Sequence, residues 1–215
     1  MNFPEISMYK MGPWGGYGAN PLPLHLQSIW DSLRGKIAGG FPYSEGIFED
    51  LNKAVNLQHY WNGRAAMETV REYIAYEFSP DAVKDVEFAV ARMEEQHPHG
   101  WEKPKLDKAA LQAQLFPPDG SAPKLRIFNA QNLKNTEERR DILRGAEKSL
   151  PDYAKKSWRW RILKLRAEID AELERSGGTH TEWMDECFGE LNQLYHAENG
   201  YDCVAPPSRK NILRY

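Results

Sequence analysis

From residue 47 onward, apolar side chains recur three or four positions apart, and that spacing commits most of the chain to α-helix. The clearest run is Trp158, Ile162, Leu165, Ile169 and Leu173, spaced four, three, four and four apart. It defines the seam of a long helix that ends at Gly177-Gly178. Ile47, Leu51, Val55 and, less regularly, Tyr60 mark an earlier helix, broken at Asn62 or Gly63. Met67, Val70, Ile74 and Phe78 mark the next. Ser79-Pro80 then supplies an N-cap and a proline for the first helical position, ahead of the stripe Val83, Val86, Val90 and Met93. Thr179-x-x-Glu182 has the form of a capping box, and Trp183, Cys187, Leu191 and Leu194 share a face behind it. Two long helices joined by a short glycine turn are expected to pack antiparallel.

The first 46 residues read differently. Residues 2–9 favour a strand, with Glu5, Ser7 and Tyr9 on one side of it. A loop with Gly12, Gly15, Gly16 and Gly18 follows, then a helix from Pro21 and Pro23 through Leu26, Ile29, Trp30 and Leu33. After Gly35, residues 38–43 are expected to form a second, buried strand. It runs into Gly-Gly-Phe-Pro-Tyr-Ser-Glu-Gly at 39–46, a short apolar run ending in an aromatic, a hydroxyl and a carboxylate. A (β/α)-barrel presents side chains to its substrate in this way, from the carboxyl end of a strand just before the next helix. The predicted class is mainly α: a multi-helix bundle preceded by two short β-strands of an incomplete (β/α) barrel. The expected boundary puts terminal barrel strands, loop and helices at 1–62 and a helical C-terminal domain at 63–215, with an irregular, proline-rich segment near 97–132.

Composition narrows the function classes. A net charge of −3 over 215 residues draws the chain to neither nucleic acid nor an anionic membrane. No apolar run of about 18 residues is present, so no membrane span is expected. No signal peptide is visible, which favours the cytoplasm for this chain and says nothing of a longer parent. Cys187 and Cys203 do not make a disulfide framework. Aromatic content of 12%, with seven Trp and ten Tyr, suits stacking on flat ligands or sugar rings and equally suits helix interfaces.

Glu45 is the leading site candidate. A carboxylate at a strand end can accept hydrogen bonds from two sugar hydroxyls; the competing reading is a cap for the following helix. Tyr43 stands beside it. Trp14, Tyr17 and Asn20 lie in the glycine loop, where Trp14 is either a platform for a sugar face or a plug beneath the loop. Asp50, Asn52 and Lys53 read as solvated or packing groups. His97 and His99 lack a third metal ligand nearby, and no metal or cofactor is expected. His196 and Glu198 read as an interhelical polar contact. Lys155, Lys156, Arg159, Arg161, Lys164 and Arg166 are followed by Glu168, Asp170, Glu172 and Glu174. That order opposes the helix dipole, so oppositely charged neighbours are expected beside it.

Phe-Pro-Glu-Ile-Ser-Met at 3–8, Pro-Trp-Gly-Gly-Tyr-Gly-Ala-Asn-Pro at 13–21 and Gly-Gly-Phe-Pro-Tyr-Ser-Glu-Gly at 39–46 resemble a family of bacterial glycoside-hydrolase-like proteins. The likeness continues in Trp158-Arg-Trp-Arg-Ile-Leu163 and Tyr195-His-Ala-Glu198. In that family a TIM-type barrel ends in a helical C-terminal domain. The resemblance implies a carbohydrate ligand met by Glu45, Tyr43, Trp14, Tyr17 and Asn20. The catalytic residues are unassigned, because the acid/base carboxylates of such barrels lie on a middle strand and nothing here corresponds to them. Two strands cannot close a barrel, so the missing barrel portion or a second chain is the expected partner. The alternative is a non-catalytic helical module that binds a protein or a sugar.

Overall fold

The computed structural model describes residues 20–41, 50–96, 133–177 and 181–195. Eight α-helices are present among them: α1 (Pro23–Leu33), α2 (Asp50–Asn62), α3 (Ala66–Glu77), α4 (Val83–Gln96), α5 (Thr136–Glu147), α6 (Asp152–Lys156), α7 (Trp158–Arg175) and α8 (Glu182–Tyr195). A 3-10 turn, Pro80–Ala82, joins α3 to α4. The mainly helical class is therefore what the described chain shows.

Local signals set several of these boundaries. Pro23 opens α1. Gly35, Gly63 and Gly177 follow α1, α2 and α7 with φ of +78°, +66° and +60°, a conformation glycine adopts at little cost. The Ser79 hydroxyl accepts from the Asp81 amide at 3.2 Å. Ser157 does the same for Arg159 at 3.2 Å at the start of α7.

Other helix starts are completed from elsewhere in the chain. Leu22, Ala65 and Asn135 flank α1, α3 and α5 without a side-chain cap of their own. Glu94 of α4 accepts from the Leu24 and His25 amides at 2.9 and 2.7 Å. Gln27 of α1 accepts from the Ala66 amide at 2.7 Å. Glu174 of α7 accepts from the Asn135 and Thr136 amides at 3.0 and 2.7 Å, and from the Thr136 hydroxyl. Each satisfies amides that a helix start leaves open.

A continuous apolar cluster runs from Leu26 and Val55 through Val70, Ile74, Val86, Val90 and Met93 to Leu143, Ile169 and Leu194. Its centre is α7, which packs on α5, α6 and α8. The predicted seam of α7 is buried throughout, but so are Trp160, Leu163, Arg166, Glu168, Asp170 and Glu172. The helix is enclosed on nearly every side, as a central helix must be. Trp160 meets Phe78 edge-on at 5.3 Å and donates its indole N–H to Glu147 at 3.1 Å. Arg161, early in α7, pairs with Glu190, late in α8, so the two helices run antiparallel as expected.

Two expectations differ from what is seen. Residues 38–41 of the second expected strand are neither helix nor strand, and 34–41 is exposed with only an isolated bridge between Arg34 and Ile37. No neighbouring strand among the described residues offers these glycine-rich positions a ladder, so water takes that role. Thr179 of the expected capping box lies outside the described residues; at the start of α8 the Thr181 hydroxyl accepts from the Met184 amide at 3.3 Å. Cys187 and Leu194 of the expected α8 face are buried, but Met184 is buried with them in place of Trp183, which is 45% exposed. The first strand (2–9), residues 42–43, the segment 97–132, His196, Glu198 and the C-terminal tail lie outside the described residues.

No helix among the described residues is long and apolar enough to cross a membrane.

Candidate functional site

Asn20 is the described member of the five candidate ligand contacts; Trp14, Tyr17, Tyr43 and Glu45 lie outside the described residues. Asn20 is buried. Its Oδ1 accepts from Arg166 Nη1 at 2.9 Å, and its carbonyl accepts from Asn52 Nδ2 at 2.8 Å. Asn52 Oδ1 in turn accepts from the Leu22 amide at 2.9 Å. One asparagine on the first turn of α2 thus clamps the chain where it leaves the glycine loop.

Beside this clamp lies a cavity of about 20 Å³, bounded by Asn20, Asp50, Asn52, Tyr73, Phe78 and Arg159 among others. That volume holds a single water and no sugar ring. On its polar wall Tyr73 Oη donates to Asp50 Oδ2 at 2.7 Å. Arg159 Nε donates to the same oxygen, and Arg159 Nη1 lies 3.6 Å from Glu77 Oε2. The guanidinium also sits 4.6 Å over the Trp158 ring, a cation–π contact.

Electrostatics in this cluster favour fixed charges over proton transfer. Burial pushes the Tyr73 phenol well up, and the Asp50 charge and hydrogen bond push it further, so it remains a donor. Burial also raises the Glu77 carboxyl; Arg159 opposes this and Asp50 adds to it. Burial alone would lower the Arg159 guanidinium, but Asp50, with help from Tyr73 and Glu77, holds it above its ordinary value. The arrangement ties α2, α3 and α7 together.

A wider polar cleft of about 510 Å³ opens between the last turn of α4 and the first turn of α5, with Phe88, Arg92, Lys134 and Glu138 on its walls. Arg92 is bound to Glu95 at 2.5 Å, and Gln96 receives Arg139 Nη1 at 2.8 Å.

Asp50 and Asn52, read from sequence as solvated or packing groups, therefore hold this site together. The available signal was the buried flank of α2: Asn52, Asn56 and His59 fall beside Leu51 and Val55 at helical spacing, and all are buried. The charges of α7 find the opposite partners anticipated for them. Arg159 meets Asp50, Lys164 meets Glu147 at 2.7 Å, and Glu168 receives Arg144 through two bonds of 2.7 Å.

No family model matches the chain, and no curated protein or solved structure is found to be similar to it.

Proposed function

We propose that this chain is the C-terminal part of a glycoside-hydrolase-like protein. In this reading it supplies substrate contacts from Tyr43, Glu45, Trp14 and Tyr17, with Asn20 fixed in the helical support behind them, and does not itself carry the acid/base carboxylate pair. The observation that supports it is the Asn52 clamp. Asn20, the last residue of the glycine loop, is held 2.8 Å from the Asn52 amide nitrogen, on the helix that follows Tyr43 and Glu45. The end of the first stretch, the glycine loop, is thus fixed to the helix that follows the second stretch, 39–46, in sequence. The polar cluster beside them is immobilised by Arg159, which suits support and not bond cleavage.

The test is calorimetric titration of the whole chain with a panel of soluble oligosaccharides, alongside an aryl-glycoside assay. Saturable binding by at least one sugar is expected, lost in Glu45→Gln and Trp14→Ala, with no turnover above background. A folded chain that binds none of the panel, or one that turns over the aryl glycosides, would overturn the reading.

A second reading, a non-catalytic interaction module, is favoured by one feature. Leu57 and Trp61, four apart on α2, are 53% and 87% exposed. If that face docks a protein, Leu57→Glu with Trp61→Glu abolishes association seen by sedimentation and leaves sugar titrations unchanged.

A further inference from the structure

His59 is enclosed in an aromatic clasp that the proposed function does not use. It is 1% exposed. Its ring lies flat on Trp30 of α1, with centroids 5.7 Å apart and planes 5° from parallel. Trp30 meets Tyr60 edge-on at 5.7 Å. Gly40 of the strap packs against Tyr60: a Cβ there would fall 2.4 Å from the Tyr60 oxygen, so any larger residue would push the Tyr60 ring aside. The clasp thus gathers the last turn of α1, the last turn of α2 and the exposed strap 34–41.

The polar atoms inside it are unevenly satisfied. His59 Nδ1 lies 2.9 Å from the Arg64 carbonyl, which can only accept, so this nitrogen carries the proton. Among the described residues His59 Nε2, Trp30 Nε1 and Tyr60 Oη are buried with no hydrogen-bond partner. A neutral imidazole tolerates this. An imidazolium is disfavoured, because the new N–H would carry charge into a buried position where no described group lies in hydrogen-bond reach.

The surrounding charges do little to rescue it. Asp31 of α1 favours protonation from a distance, but its carboxylate already holds Gln27 Nε2 at 3.0 Å. Gln27 in turn caps α3 through the Ala66 amide. The Arg64 guanidinium on the α2–α3 connection is taken up by Glu68 and Glu72 of α3.

We propose that His59 is a pH-operated latch: a proton at buried Nε2 puts a charged N–H where no described group accepts it, and the clasp opens to hydrate it, releasing the end of α1 together with the strap 34–41. Release is local. The first turn of α1 stays pinned by Glu94, and α7 is not involved.

The sign follows from linkage. Burial holds the folded imidazole below its ordinary value of 6.5, with the Arg64 bond and Asp31 only partly offsetting this. The open form then binds more protons than the closed one. Closure is complete above the open-form value and is lost as pH falls through the closed-form value.

Hydrogen exchange of the whole chain at pH 7.5 and 5.5, corrected for intrinsic rates, reads this directly. Opening of residues 27–41 should rise about tenfold per pH unit below roughly 6.5, while residues 158–175 stay unchanged. His59→Phe keeps the stack, cannot titrate and should remove the pH dependence. Should that variant fail to fold, imidazole NMR of the wild-type chain decides the matter. His59 must titrate below its ordinary value as the Nδ1–H tautomer. Titration at or above that value, or exchange at 27–41 that ignores pH, overturns the latch.

Discussion

Asp170 is the buried counter-charge for two interior arginines. It is fully buried and receives both Arg139 and, at 2.9 Å, Arg166. Its Oδ1 has no partner among the described residues. Each arginine also reaches a neutral amide, Gln96 and Asn20, at 2.8 and 2.9 Å. Burial pushes the Arg139 guanidinium down, and Asp170 is the charge that most opposes this. Replacing one carboxylate by an amide leaves two cations in the interior without their counter-charge. Asp170→Asn is therefore expected to cost about 3–5 kcal/mol, the range for breaking a buried pair, read as a lower urea midpoint at unchanged slope. A cost under about 1 kcal/mol would mean the cluster is hydrated, as surface pairs are. By contrast Cys187 has little chemical reach: burial first, then Glu168, Glu186 and Glu172, push its thiol up to about 12.

At the scale of elements, the helices are finished by one another. α1, α3 and α5 each start without a local cap and receive Glu94, Gln27 and Glu174 from helices far away in sequence. A carboxylate at a helix start satisfies open amides and meets the positive end of the dipole. Glu174 shows the balance. Burial alone would raise its carboxyl, but the Thr136 and Asn135 bonds outweigh this and hold it below the ordinary 4.5. Its contribution is thus present at neutral pH and fades as pH falls below that value. Glu174→Gln is expected to cost about 1–2 kcal/mol at pH 7, in line with lost caps, and to flatten the acid limb of a stability–pH curve. An unaltered limb would show that the cap carries no charge-dependent share.

For the whole molecule, α7 is the part on which the rest depends. It meets α5, α6 and α8 directly, and Trp160 carries it into the α3 side through Phe78. Phe78 in turn meets Tyr73 at 6.1 Å, edge-on, which leads to the Asp50 and Arg159 cluster. Removing the Trp160 side chain empties the junction between both halves of the bundle. Trp160→Ala is expected to cost about 3–5 kcal/mol and to keep one cooperative transition. Two separated transitions by circular dichroism would instead show that the halves unfold independently.

Much of this was readable along the chain. Ser79 with Pro80, the glycines after α1, α2 and α7, and the α7 seam act through neighbours within about four residues, so their consequences are written locally. Expectation failed or stayed open where a second element supplies the partner. Asn52 was open between a solvated and a packing group, and residues 20–22 decided for packing. Residues 38–41 looked like a strand, but a strand needs a neighbour to pair with, and none is described beside them. Trp183 and Met184 are both apolar, and packing against α7 chose between them. The order of charges along α7 indicated that oppositely charged neighbours exist; which residues these are depends on distances across the bundle. Helix positions follow from short-range backbone and side-chain rules, whereas caps, ion pairs and the clamp at Asn20 follow from which surfaces meet once the apolar faces are buried.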